Sequence, residues 1–185
     1  MAIETRLMTV EQYLAFEAES EFRHEYLDGE IYPMTGGTMN HDVIVVNMTS
    51  ALLSQLADSN CRIFTSNMRV RVSSTRYVYP DLSAVCGEAE TGNGTTTLLN
   101  PIFVLEVISP SSTERDRVTK LELYSAVPSI EGYLILDQER VFAEWHRRAE
   151  SGWHRQQFDN LDDEIELAPL GCSLALSQVY RGVLL

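Results

Sequence analysis

The sequence has no apolar run that approaches the roughly 20 residues a helix needs to cross a bilayer. Its first six residues also lack the basic patch and apolar stretch of a secretory signal peptide. Cysteine is scarce, because the chain has only Cys61, Cys86 and Cys172, which match neither a disulfide framework nor a zinc-ligand pattern. We therefore expect a cytoplasmic protein in a reducing compartment, without a membrane partner.

Lysine is almost absent as well, because Lys120 is the single lysine among 14 basic residues. With 27 acidic residues the net charge is −13, which argues against a protein that covers nucleic acid with a broadly basic surface. Solubility accounts for most of these acids. Residues 62–76 differ from the rest, since they contain four arginines and no acid, so a local basic strip remains compatible with the overall charge.

The remaining composition is that of an ordinary globular protein. The chain has 185 residues, of which 44% are hydrophobic and 22% charged, and this size suits one domain, residues 1–185, with one core. Hydrophobic periodicity and turn residues predict helices at 9–16, 40–56 and 112–126, a turn at Asp28-Gly29, strands at 68–72, 77–86, 101–109 and 131–136, and a C-terminal hairpin at 140–158. We expect an α/β (α+β) fold in which helices flank one mixed sheet and strand 101–109 is central.

Two carboxylates are the first chemical candidates. Glu106 interrupts the apolar run 103–108, and a lone buried carboxylate needs a cation, hydrogen bonds or a metal to remain charged. An arginine or backbone N–H groups would also satisfy it. Asp81 follows Pro80 at the start of an apolar strand and by itself is typical of a turn. Carboxylates on adjacent strands can, however, converge on one hard cation such as Mg²⁺.

Lys120 is the third candidate. In a helix it lies one turn from both Asp116 and Tyr124, at the border of the apolar face. There it would either extend its ammonium to solvent or pair with Asp116 for about 0.3–0.5 kcal/mol. The functional alternative is a positive charge that orients an attacking water or stabilises a phosphate in the transition state.

These residues resemble a known pattern, the Pro-Asp…(Asp/Glu)-x-Lys motif of the restriction-endonuclease-like superfamily. The chain is more closely similar to the bacterial "putative restriction endonuclease" domain family, from about residue 9 to the C-terminus. The matching segments are 23–31, His41, 80–82, 104–112, Asp116, 120–124 and 132–137. One position departs from the motif, because Ile108 stands where the strand lysine is usual. Lys120, on the following helix, matches the lysine of this family.

The resemblance implies a restriction-endonuclease-like core and a divalent-metal-dependent endonuclease that hydrolyses phosphodiester bonds of nucleic acid, with DNA the expected substrate. Asp81 and Glu106 would bind Mg²⁺ or Mn²⁺, and Lys120 would assist the attacking water. Accessory roles are expected for Glu25 or Glu30, His41, Asp116 and Tyr124.

Two features leave alternatives open. Arg69 and Arg71 alternate along a strand, so they would either contact phosphates or decorate an exposed face. The segment 140–158, with Trp145 and Trp153, would either form a homodimer interface or cover the domain's own core.

The acidic charge and the missing strand lysine favour a second function, a catalytically inactive homo-oligomeric binding module that keeps the nuclease fold.

Overall fold

The computed structural model describes residues 7–34, 36–108 and 114–185, without the side chains of 114–117. Its helices are α1 (Val10–Glu19), α2 (Met39–Gln55), α3 (Glu114–Ser125) and α4 (Leu176–Val179), with a 3₁₀ turn at Ala168–Leu170. Its strands are β1 (His24–Leu27), β2 (Glu30–Pro33), β3 (Cys61–Thr65), β4 (Arg69–Ser73), β5 (Arg76–Val78), β6 (Leu82–Cys86), β7 (Thr91–Gly92), β8 (Thr97–Leu98), β9 (Phe103–Ile108), β10 (Gly132–Asp137), β11 (Ala143–Ala149), β12 (Gly152–Phe158), β13 (Glu164–Leu167) and β14 (Cys172–Ala175).

The strands of the described residues form two six-stranded sheets and the hairpin β13–β14. The first sheet has the order β2-β1-β5-β4-β8-β7, and the second has the order β12-β11-β10-β9-β6-β3. Strand β9 pairs in parallel with β10 and antiparallel with β6, so the second sheet is mixed and β9 lies inside it, as predicted.

The prediction that strand 68–72 joins that same sheet is wrong. Pro80 interrupts the extended run 77–86, and the two halves of the run enter different sheets as β5 and β6. Strand β4 pairs with β5 and therefore belongs to the first sheet. Proline carries no N–H for a sheet ladder, which explains why the chain changes sheets at this position.

Local sequence signals set the first two helices. Helix α1 begins after Thr9, whose hydroxyl accepts from the N–H of Gln12 while the Gln12 side chain accepts from the N–H of Thr9, which is the predicted capping box. Helix α2 buries Ile44, Met48 and Leu52 completely, as their spacing predicts. These three side chains pack on one face of the second sheet.

The alternation of β9 decides which face of the sheet receives its one carboxylate. Phe103, Leu105 and Val107 pack in the cluster that contains the buried face of α2. Val104 packs instead with buried residues of α3. Because successive side chains of a strand point to opposite faces, Glu106 lies on the α3 face.

The C-terminal hairpin forms as predicted from β11 and β12, but Trp145 is not an interface residue. It is 1% exposed, and its ring lies 6.0 Å from that of Phe103, centroid to centroid. Trp145 therefore belongs to the domain's own core. Trp153 is half-buried, with the Arg148 guanidinium 4.7 Å from the centre of its ring. Homodimerisation itself stays a prediction.

The cysteines also differ from expectation, because Cys61 and Cys86 form a disulfide. They are 25 positions apart in the sequence, yet they lie directly opposite each other on the antiparallel strands β3 and β6, with Cα atoms 3.9 Å apart. Strand register brought them together, and their spacing alone could not reveal it.

None of the helices in the described ranges has the length and apolarity of a membrane span.

A pH-dependent stability is predicted for the C-terminal hairpin. Burial tends to raise the pKa of Glu144, but hydrogen bonds from His146, Gln157 and Arg155 outweigh it and hold that pKa at about 2. A carboxyl whose pKa is lowered by folding stabilises the protein above its unfolded pKa, and this contribution is lost as the pH falls towards its folded pKa.

Glu144→Gln should therefore lower the free energy of unfolding by about 1–3 kcal/mol at neutral pH. The difference from wild type should shrink as the pH falls from 4.5 towards about 2. Urea unfolding as a function of pH measures it, with Glu150→Gln in the exposed turn of the same hairpin as the control. A difference that is independent of pH would contradict this account.

Candidate active site

A cleft of about 720 Å³ is lined by most of the candidate residues. It is lined by Glu25 of β1, His41 of α2, Asp81 at the entry to β6, Glu106 of β9 and Lys120 of α3. Both large sheets and two helices thus contribute to one concave surface. Clefts in which a few charged groups converge are where binding and catalysis are expected.

The ammonium of Lys120 lies between two carboxylates. Its Nζ donates to Oε1 of Glu25 at 2.6 Å and to Oε1 of Glu106 at 3.0 Å. The hydroxyl of Tyr124, one helical turn further along α3, donates to the same oxygen of Glu106. Ile108 packs in the hydrophobic cluster beneath α3. The structure thus brings the helix lysine to the carboxylate that a strand lysine at position 108 would have accompanied.

Asp81 is held from two sides. Its Oδ2 accepts from the backbone N–H of Val107 at 2.7 Å, and its Oδ1 lies 3.1 Å from Nε2 of His41. His41 is oriented by the start of α2, where its N–H donates to the hydroxyl of the N-cap residue Thr38 at 3.2 Å. The hydrogen bond with Asp81 raises the pKa of His41, although burial acts in the opposite direction.

The electrostatics of the cleft reflect an excess of buried negative charge. Burial raises the pKa of Glu106 to about 7; the Lys120 ammonium opposes this rise, and the carboxylates of Asp81 and Glu25 add to it. Burial alone would lower the pKa of Lys120, but Glu106 and Glu25 outweigh it and keep the ammonium protonated. Burial raises the pKa of Tyr124 well above its ordinary value, so its phenol remains a donor.

A buried cluster behind Glu25 was missed by sequence reasoning. The N–H of Tyr79 donates to Oε1 of Glu25 at 3.3 Å, and the Tyr79 hydroxyl donates to Oε1 of Glu17 at 2.8 Å. Glu17 is 3% exposed and also accepts from the N–H of His24 at 3.0 Å. The signal was available, because Glu17 follows Tyr13 by one helical turn and so lies on the same buried face of α1.

Some predicted residues lie outside the cleft. Glu30 is exposed on β2, where its carboxylate accepts from the Tyr32 hydroxyl, so of these two acids only Glu25 lines the cleft. Arg71 is exposed on β4, outside the cleft. The side chain of Asp116 lies outside the described residues.

The alternative in which Arg69 decorates an exposed strand face is wrong. Arg69 is 4% exposed, its guanidinium lies 5.5 and 5.6 Å from the ring centres of Tyr13 and Tyr77, and its Nε donates to the hydroxyl of Thr97 at 3.0 Å. Tyr13 comes from α1 and Thr97 from β8, so this burial depends on elements far apart in the sequence. Arg69 lines a separate cavity instead of the cleft.

The donor set of the cleft fits a magnesium-type cation held by two carboxylates. Within residues 7–34, 36–108 and 114–185, no three His, Cys, Asp or Glu side chains form a ready-made metal cluster. Mg²⁺, however, is commonly bound by one or two carboxylates, with waters and substrate phosphates completing its shell. Asp81 and Glu106 supply such oxygens, and both carboxylates line the cleft.

Comparison with solved structures defines the fold. A crystal structure of a protein from Anabaena variabilis ATCC 29413, described as a "putative nuclease belonging to DUF820", matches with a TM-score of 0.76 at 19% identity. The match covers 96% of this chain and 99% of that chain. The mixed α+β architecture is therefore the restriction-endonuclease-like fold expected from the sequence.

Comparison of sequences defines the family. Two proteins of Synechocystis sp. (strain ATCC 27184 / PCC 6803 / Kazusa), both described as uncharacterized, are each 32% identical to this chain. The first match spans 178 residues, 95% of this chain and 93% of the relative, and the second spans 136 residues, 72% and 77% respectively. Residues 10–177 match the model of the Uma2 family, "Putative restriction endonuclease". With its fold, its cleft and this match together, the chain belongs to the Uma2 family.

Proposed function

We propose that this protein is a divalent-metal-dependent endonuclease that hydrolyses phosphodiester bonds of nucleic acid, with DNA as the expected substrate. One observation carries the proposal: the single lysine of the chain reaches the carboxylates of Glu25 and Glu106 in a cleft that also contains Asp81. Membership of a family described as restriction endonucleases supports the same reaction class.

Asp81 and Glu106 would hold Mg²⁺ or Mn²⁺. When bound, such a cation supplies positive charge at the scissile phosphate and lowers the pKa of a water that can attack it. On a protein of net charge −13, this charge also offsets the repulsion between the acidic cleft and a polyanionic substrate.

The residues of the chain orient the reacting groups. Lys120 uses two of its three N–H donors on Glu25 and Glu106, and the third can donate to a phosphate oxygen or to the attacking water. Because its carboxylate neighbours keep it protonated, it contributes a fixed positive charge where negative charge develops. Tyr124 fixes the Glu106 carboxylate, and His41 fixes that of Asp81.

The proposal predicts a loss of cleavage on removal of any of three side chains. Asp81→Asn, Glu106→Gln and Lys120→Ala should each lower the rate by a factor on the order of 100 or more, because the first two weaken metal binding and the third removes a positive charge that stabilises the transition state. The assay follows cleavage of labelled single- and double-stranded DNA and RNA with Mg²⁺, with Mn²⁺ and with chelator. Glu122→Gln, which changes an exposed acid of α3, is the matched control and should keep the wild-type rate.

The outcomes separate the two candidate functions. Equal rates for wild type and Lys120→Ala would contradict the role of the lysine. Absence of metal-dependent cleavage of every substrate by wild type would contradict the nuclease proposal and favour the inactive homo-oligomeric binding module.

A second prediction concerns the stability of the site and requires no activity. Lys120→Met leaves Glu25 and Glu106, which are 17% and 13% exposed, without their cation. It should lower the free energy of unfolding by about 1–3 kcal/mol. In a Glu25→Gln background the same change should cost less, since one of the two carboxylates is already neutral.

The double-mutant cycle measures this difference as a coupling energy between Lys120 and Glu25 of about 0.5–3 kcal/mol. Urea unfolding at neutral pH with chelator gives the four free energies. Glu122→Gln replaces Glu25→Gln in the control cycle and should give a coupling near zero. Additive effects of Lys120→Met and Glu25→Gln would refute the bridging geometry.

A further inference from the structure

A second cavity, of about 430 Å³, adjoins the candidate active site. Tyr79 lines both cavities. The turn between β3 and β4, closed by the N–H of Met68 on the carbonyl of Thr65 at 2.9 Å, also joins them: Ser66 lines the cleft and Asn67 lines the second cavity. The two cavities therefore lie on either side of Tyr79 and of this turn.

The second cavity contains a buried cation, the guanidinium of Arg69. Arg69 is only 4% exposed. Within the described part of the chain it forms no ion pair. Its guanidinium is stabilised by the rings of Tyr13 and Tyr77 and by the hydroxyls of Thr97 and Thr96, at 3.0 and 3.4 Å. A guanidinium has five N–H donors in a planar fork that matches phosphate geometry, and these hydroxyls use two of them.

The rest of the lining suits an anion. Arg23 is exposed at the cavity and supplies a second cation, and the neutral side chains of Asn67, Asn93 and Thr95 can supply donors. The Thr96 hydroxyl donates to the carbonyl of Asn93 at 3.0 Å. One carboxylate, that of Glu17, also lines the cavity. Its oxygens are already engaged, by the Tyr79 hydroxyl at 2.8 Å and by the N–H and Nδ1 of His24, both at 3.0 Å.

We propose that the second cavity binds a backbone phosphate of the substrate strand, beside the phosphodiester held in the active site. Arg69 and Arg23 contact this phosphate, and Tyr79 lies between it and the phosphodiester in the active site. The proposal rests on the proposed function only in taking a nucleic-acid strand as the ligand. A free mononucleotide offers the same phosphate chemistry, so the experiment includes it.

The test measures binding without metal, by fluorescence anisotropy of a labelled oligothymidylate of about ten nucleotides and of a labelled dinucleotide, in chelator. Arg23→Glu should weaken binding of the longer strand about tenfold and reduce the slope of log K against log salt by about 0.7, the value for one phosphate contact in a single strand. Arg181→Glu is the matched control: it makes the same charge change at an exposed arginine outside both cavities. It should leave affinity and slope near wild type.

A second pair of variants addresses Arg69 without removing it, since its loss could unfold the protein. Thr96→Glu places a carboxylate beside the Arg69 guanidinium and should also weaken binding of the longer strand about tenfold. Thr91→Glu, at an exposed threonine of β7 outside the cavity, should not. The dinucleotide is too short to occupy both cavities, so the variants should change its affinity less than they change that of the longer strand.

The proposal is overturned if Arg23→Glu and Arg181→Glu weaken binding of the longer strand equally. It is also overturned if the Thr96→Glu variant binds the longer strand as tightly as wild type. The proposal is also overturned if Thr96→Glu changes competition by thymidine monophosphate but not binding of the longer strand, because the cavity would then hold a free nucleotide and not a strand. The result is separable from the nuclease proposal. Arg23-dependent binding without any cleavage refutes the proposed function and supports this site, whereas cleavage with unchanged binding by Arg23→Glu refutes only this site.

Discussion

The candidate site depends on one interaction, the Lys120 ammonium between the carboxylates of Glu25 and Glu106. Glu25 belongs to the first sheet, Glu106 to the second, and Lys120 to the helix that packs over the second sheet. Buried carboxylates that face each other repel and take up protons unless a cation lies between them. The lysine supplies that cation and, in doing so, ties three parts of the fold together at the cleft. Asp81 brings a third carboxylate to the cleft, and three carboxylates around one lysine are the physical reason to propose a divalent cation there.

Local patterns in the sequence predicted the parts of the fold that local physics decides. Thr9 and Gln12 form their capping box because capping needs only neighbours in the chain. Once Phe103, Leu105 and Val107 are seen to face α2, strand alternation places Glu106 on the opposite face of β9. The lysine was harder to place, because an isolated helix cannot say whether Lys120 meets Asp116, solvent or a distant carboxylate. The family resemblance made that connection, and the fold explains it through the face of β9 that α3 covers.

Apart from the buried Glu17, the features that sequence reasoning missed depend on pairing between distant segments. Pro80 indicated an interruption, but only strand partners determine that β5 and β6 enter different sheets. The Cys61–Cys86 bond follows from the register of two antiparallel strands, which the 25-residue spacing does not encode. The sequence left open whether Arg69 contacts phosphates or decorates an exposed face, because alternation shows that two faces differ and does not show which of them another element covers. Here Tyr13 of α1 packs over the arginine, and its charge lies in the buried wall of a cavity.

The most direct test of the central claim is a crystal structure of the protein grown with Mn²⁺, with anomalous scattering recorded to locate the ion. We predict one anomalous peak in the cleft, coordinated by carboxylate oxygens of Asp81 and Glu106, with Lys120 still in contact with Glu25. The same peak should disappear in Asp81→Asn crystals grown at the same Mn²⁺ concentration. A peak elsewhere, or no peak with Asp81 still bonded to His41 and Glu106 to Lys120, would contradict the account.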